Sequence, residues 1–76
     1  MDQEKVAIEV LKEIAINGSR LLVERQRAID ALTLFHGASM DALKEIVKKV
    51  DSTMLKERAN LYIQRIKDGT VLSMNV

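Results

Sequence analysis

Few side chains in this sequence are equipped for chemistry, and their spacing decides most of what they can do. The single histidine, His36, stands three residues before Ser39. A serine is activated only by an imidazole within hydrogen-bond reach that a third group orients; this spacing spans a turn and no acid is placed to serve. His36 is instead expected to cap a helix C-terminus, where the partial negative charge favours imidazolium. Glu9 and Glu13, like Asp41 and Glu45, are carboxylates one helical turn apart, but lysines lie beside both pairs, so they read as solvated faces rather than acid/base dyads. With one histidine and no cysteine, a convergent zinc site is excluded. There is no glycine-rich phosphate cradle, and two aromatics, Phe35 and Tyr62, cannot form a stacking platform for single-stranded nucleic acid. The expectation is a non-enzymatic protein with no cofactor, no metal and no small-molecule substrate.

What remains is a chain built for packing. Apolar residues make up 47% of its 76 residues, too many for a disordered segment. The longest apolar runs are three residues, as at Val6 to Ile8, too short for a membrane span or a signal peptide. The chain therefore reads as soluble and cytoplasmic, with no membrane partner. Its formal charge of +1 provides no global field to draw it to nucleic acid.

No proline occurs, and the three glycines, Gly18, Gly37 and Gly69, fall where a helical reading needs stops. Ser19, Ser39 and Ser52 fall where helices restart and are expected to be N-caps. The spacing predicts an all-α fold of four helices, at about 3–16, 20–36, 40–50 and 53–67, forming one domain over 1–69 with a tail over 70–76. Helix 3 has one clean apolar stripe (Met40, Leu43, Ile46, Val47, Val50) opposite its charges, and helix 4 points Leu55, Ala59, Tyr62, Ile63 and Ile66 one way. Helix 1 is apolar around about half its circumference.

An internal repeat organises these helices. Leu11-Lys12-Glu13-Ile14 recurs as Leu43-Lys44-Glu45-Ile46, and Arg27-Ala28, Leu32 and Phe35 recur as Arg58-Ala59, Ile63 and Ile66. The offset changes by a single residue between the two sets, as a loop permits. Leu55, Lys56, Ala59, Tyr62, Ile63 and Ile66 resemble the first helix of the HEAT-like repeat family, with Tyr62 replacing an alanine. Glu24, Arg25, Ala28, Ala31, Leu32 and Phe35 repeat the pattern, Glu24 replacing an apolar residue, and 39–50 resembles the family's second helix. The resemblance spans about residues 24–67 and implies an interaction scaffold without catalytic residues. A short solenoid and a plain four-helix bundle both accommodate two repeated helix pairs.

A second reading places a DNA-binding helix-turn-helix at about 29–50, where Thr33, Gly37, Ala38, Ser39, Leu43 and Ile46 have the motif's spacing. Ser39, Lys44, Lys48 and Lys49 would then meet DNA, although Asp41 and Glu45 share that face and it carries no arginine. Arg20, Arg25, Arg27, Arg58 and Arg65 are available for an acidic partner. Arg25 projects among apolar neighbours, where it either snorkels or enters a buried salt bridge whose acid comes from another helix or chain.

The wide face of helix 1 and the off-stripe residues Val23, Leu34, Met54 and Leu61 exceed what four helices can cover. The expected function is a protein-interaction module, a small regulator or adaptor that associates as a homodimer or with a protein partner. Ile8, Val23, Leu34 and Leu61 are the expected contacts, unless the tail over 70–76 covers the strip in a monomer.

Overall fold

The computed structural model describes residues 2–69, and the expectation for the tail over 70–76 lies outside them. The helices are α1 (Gln3–Ile16), α2 (Leu22–Leu32), α3 (Met40–Lys49) and α4 (Thr53–Asp68), with a 3-10 segment, Thr33–Ser39, joining α2 to α3. The described residues contain no strand. Helical structure falls in three runs rather than the four expected, because the 3-10 segment carries α2 on into α3 with only a kink at His36 between them. No helix among the described residues is long and apolar enough to cross a membrane.

Local chemistry sets the boundaries. Asp2 caps α1, its carboxylate accepting from the Glu4 and Lys5 amides, and Ser52 caps α4 by accepting from the Leu55 amide at 3.3 Å. Gly69 ends α4 in the left-handed conformation at φ 74°, which costs a residue without Cβ nothing. Ser19 is not a cap. The α1–α2 turn is closed by Asn17, whose side chain accepts from the Ser19 amide at 2.9 Å, and α2 starts at Leu22, with the Glu24 carboxylate accepting from the Leu21 amide. A side-chain turn by asparagine competes well with glycine or serine at such a site.

The break between α2 and α3 falls on His36, not Gly37. His36 takes φ 51° and ψ −129°, a conformation that strains any residue with a Cβ by about 1–3 kcal/mol. It is exposed and does not close a regular helix as expected. The buried Ser39 does not cap α3 by its side chain; its hydroxyl donates to the His36 carbonyl at 2.8 Å and so braces the strained turn.

The helices form a slab of 34 × 32 × 20 Å, two helices thick. The main contacts are α1 on α2 and α3 on α4, and the two pairs meet through α1 with α3 and α2 with α4. Gln26 meets Met54, and one turn later on each helix Asp30 meets Arg58, so α2 and α4 run parallel. Lys12 meets Glu45, and one turn earlier Ile8 and Ala42 line one groove, so α1 and α3 also run parallel. The core is aliphatic: Ile29, Leu32, Leu43, Ile46 and Leu55 are fully buried, each stabilising the fold by about 1.5–3 kcal/mol.

Candidate functional site

The seam between the helix pairs consumes much of the charged chemistry. On the α2–α4 side, the Arg58 guanidinium donates to both Asp30 carboxylate oxygens at 2.7 and 3.0 Å, and the Tyr62 hydroxyl donates to Asp30 at 2.7 Å. Arg58 also sits 5.9 Å from the Tyr62 ring centroid. A bidentate pair of this kind fixes geometry as well as adding energy. Burial raises the Asp30 carboxyl, but the hydrogen bonds from Arg58 and Tyr62 and the arginine's charge outweigh it and hold it below its ordinary value. Burial, followed by the bond to Asp30 and its charge, pushes the Tyr62 hydroxyl up.

On the α1–α3 side, Lys12 lies 2.9 Å from Glu9 and 3.2 Å from Glu45. The bond to Glu9, then that to Glu45, raises the Lys12 ammonium, while Lys12 lowers Glu45. Glu45 is shared with Lys49 at 3.5 Å. Glu9 and Glu45, one from each carboxylate pair, are therefore tied up in ion pairs, and no group of three or more His, Cys, Asp or Glu among the described residues can hold a metal. The Ser39 hydroxyl is bonded to a backbone carbonyl rather than to an imidazole.

Arg25 is 6% exposed. Its Nε donates to the Ala15 carbonyl at 2.9 Å and its Nη2 to that of Ile16 at 3.5 Å, with Asp51 at 3.7 Å. Asp51, in the α3–α4 connection, is 88% exposed, so the pair is not a buried salt bridge; the principal acceptors are orphan carbonyls at the α1 C-terminus, a match for both charge and dipole. The five arginines do not form one basic surface: Arg25 is buried, Arg58 holds Asp30, and Arg20 lies 3.9 Å from Glu24.

The expected contact residues lie on four different elements. Ile8 is half-buried against the core, on the α1 side that faces α3. It is not the exposed residue of helix 1; Val6 and Val10 are, at 47% and 52%. Val23 on α2, Leu61 on α4 and Leu34 in the 3-10 segment are exposed, Leu34 most of all at 76%. Of the residues expected to meet DNA, Lys44 and Lys48 are exposed, Lys49 is paired with Glu45, and Ser39 is fully buried.

The surface that stands out is the outer edge of the α1–α2 pair. An open groove of about 490 Å³ runs along α1, lined by Glu9, Val10, Glu13, Ile14 and Arg20 among others. A second of about 320 Å³ lies between α1 and α2, over Leu11, Ile14, Glu24, Arg27 and Ala28. With Val6 one turn before Val10 on α1, these grooves form an apolar strip edged by charge. The signal for it was present in the repeat: an offset of 32 sets Val6 and Val10 against Ala38 and Ala42, and Ala42 is buried where the second pair meets the first. Compared with known proteins, the chain matches no family model, no curated protein and no solved structure.

Proposed function

We propose that this chain is a non-enzymatic helical protein-interaction module, a small regulator or adaptor, built as two stacked helix pairs in the manner of a short HEAT-like solenoid. The observation that carries the reading is the outer edge of α1, where Val6 and Val10 stand exposed one turn apart and Val10 lines an open groove. Clustered apolar surface of this kind marks an interaction site rather than ordinary scatter. The parallel run of α1 with α3 and of α2 with α4 favours stacked units over a bundle in which neighbours alternate in direction. Two of the five arginines, Arg25 and Arg58, hold the fold rather than standing free for an acidic ligand.

The DNA-binding alternative ranks second. Its support is the pair of exposed lysines Lys44 and Lys48. Against it, α2 packs chiefly on α1 rather than on α3, Ser39 is buried, and Lys49 pairs with Glu45. A helix-turn-helix needs its two helices braced together so that the second can be held in the groove.

The test is photo-crosslinking in cells expressing the full chain, with a benzophenone side chain at position 10 and, as control, at the exposed polar position 60. The expected result is a discrete adduct from position 10 that disappears with Val6→Asp, and none from position 60. Equal adducts from both positions, or none from either, would defeat the reading. Salt-sensitive retardation of duplex DNA that is lost on replacing Lys44 and Lys48 would put the alternative first.

A further inference from the structure

The seam inside the molecule is a template for contacts that the described residues leave unmade at the two outer edges. Lys12 of the first Leu-Lys-Glu-Ile segment bonds Glu45 of the second. The remaining two charges of that repeat, Glu13 and Lys44, are both exposed and have no ion-pair partner among the described residues. Glu13 occupies the position of Glu45 on the outer edge of α1, and Lys44 the position of Lys12 on the outer edge of α3. We propose that the chain assembles head to tail with further copies of itself, the α3–α4 edge of one copy docking on the α1–α2 edge of the next as the two pairs dock within one chain. This rests on the interaction-module reading and names its partner.

Complementarity of charge and shape argues for this occupant. In the docked register Lys44 meets Glu13 of the next copy, repeating the internal Lys12–Glu45 pair. Lys48, exposed one turn further along α3, lies towards the same acidic edge. Val10 takes the place of Ala42 and Val47 that of Ala15, so apolar surface meets apolar surface across the α1–α3 side. On the α2–α4 side the clamp is not repeated: by the offset of 31 Leu61 corresponds to Asp30 and Arg27 to Arg58, but Leu61 follows Met54 and Arg58 on the flank of α4 that faces α2 within the chain. The bidentate bond has no counterpart between copies. The interface between copies is therefore weaker than the internal seam, and association is reversible. The contact is heterologous, so it propagates into open chains unless the rotation between copies closes a ring. Stacked helix pairs are stabilised by having neighbours on both sides, and at least three are usually needed.

Sedimentation equilibrium on the full chain over a wide concentration range tests the proposal, with Val10→Asp and the double variant Lys44→Glu/Lys48→Glu made separately. All three residues are exposed, so the variants are expected to fold, as circular dichroism will check. The wild type is expected to form assemblies larger than a dimer and each variant alone to be monomeric. An equimolar mixture of the two variants is expected to give a 1:1 dimer that grows no further, since each retains the edge the other lacks. Glu13→Lys and Lys44→Glu are each expected to weaken association about tenfold, and the double reversal to restore most of it. A wild-type monomer at all concentrations overturns the proposal. So does a dimer that Lys44→Glu/Lys48→Glu leaves intact, which signals a two-fold interface through α1, or a mixture of the two variants that forms no 1:1 dimer. A Val10 crosslink to a different protein from a chain that stays monomeric removes self-assembly and leaves the interaction-module reading standing.

Discussion

The outer edge of the first helix pair and the inner edge of the second carry nearly the same residues in opposite circumstances. Leu11 and Ile14 are half-buried over an open groove, whereas Leu43 and Ile46, their counterparts, are completely enclosed. Arg25 is buried against the end of α1, while Lys56 at the matching place on α4 is exposed. Asp30 is clamped by Arg58, and at its counterpart stands Leu61, which is 46% exposed. Local sequence therefore does not decide burial in this molecule. For Leu43, Ile46 and Asp30 the presence of a neighbouring pair does, whereas the contrast between Arg25 and Lys56 arises within each pair, since Arg25 bonds the end of α1.

The sharpest test of the comparison is truncation at matched positions. Ile46→Ala removes three methyl(ene) carbons from an enclosed site and is expected to cost about 3 kcal/mol, near the middle of the range for such core changes. A domain of this size has about 4–11 kcal/mol in all, so the variant is expected to be marginal at 37 °C. Ile14→Ala, chemically identical but at the open edge, is expected to cost about 1 kcal/mol. Urea unfolding of both in dilute solution gives the difference. Equal losses would mean that the open edge is as well covered as the seam, and the contrast would collapse.

Arg25 against Lys56 gives the next largest effect. Arg25→Met keeps the aliphatic length but leaves the Ala15 and Ile16 carbonyls without their charged donor, for an expected loss of about 2 kcal/mol. Lys56→Met is expected to stay within about 0.5 kcal/mol of wild type. Hydrogen exchange sharpens the contrast, since Arg25→Met should speed exchange in the last turn of α1 well before that in α4. A loss confined to global stability, with no added fraying of α1, would show that Arg25 acts by packing and not by its bonds to the helix end.

These contrasts also show how far the sequence could be read. The doubled Leu-Lys-Glu-Ile, the Ser52 cap and the Gly69 stop were legible because each follows from local rules of helix periodicity and capping. The break at His36 was not. Gly37 is the residue that tolerates unusual backbone, and only the buried Ser39 bonding to the His36 carbonyl explains why its neighbour bears the strain. Helix 1 was visibly too apolar for one neighbour, but periodicity cannot tell which flank of a wide stripe a partner helix will cover, so Ile8 was favoured over Val6 and Val10. Arg25 read as anomalous among apolar residues, yet its carbonyl acceptors belong to a helix end whose position no local pattern records.

The smallest effect lies at the clamp, where the contrast between Asp30 and Leu61 becomes a contrast in pH response. Asp30 is depressed in the folded chain, so its contribution is fully present above the ordinary aspartate pKa of about 3.9 and is lost as pH falls through the lower folded value. Tyr62 is raised, so its contribution is fully present below the ordinary tyrosine pKa of about 10 and is lost as pH rises through the higher folded value. The clamp therefore favours the fold across the broad middle of the pH range and weakens at both ends. Asp30 and Arg58 are each more than a third exposed, so solvent screening limits the pair to about 1 kcal/mol or less. Asp30→Asn is expected to lower Tm by a few degrees at neutral pH. It should also flatten the fall in Tm below about pH 4, because the titrating carboxyl is gone. Leu61→Asn, at the counterpart without a clamp, is expected to leave the acid limb of the Tm profile unchanged. If Asp30→Asn shifts the whole profile without changing that limb, the clamp's contribution is one of shape rather than charge, and the two positions differ only in what covers them.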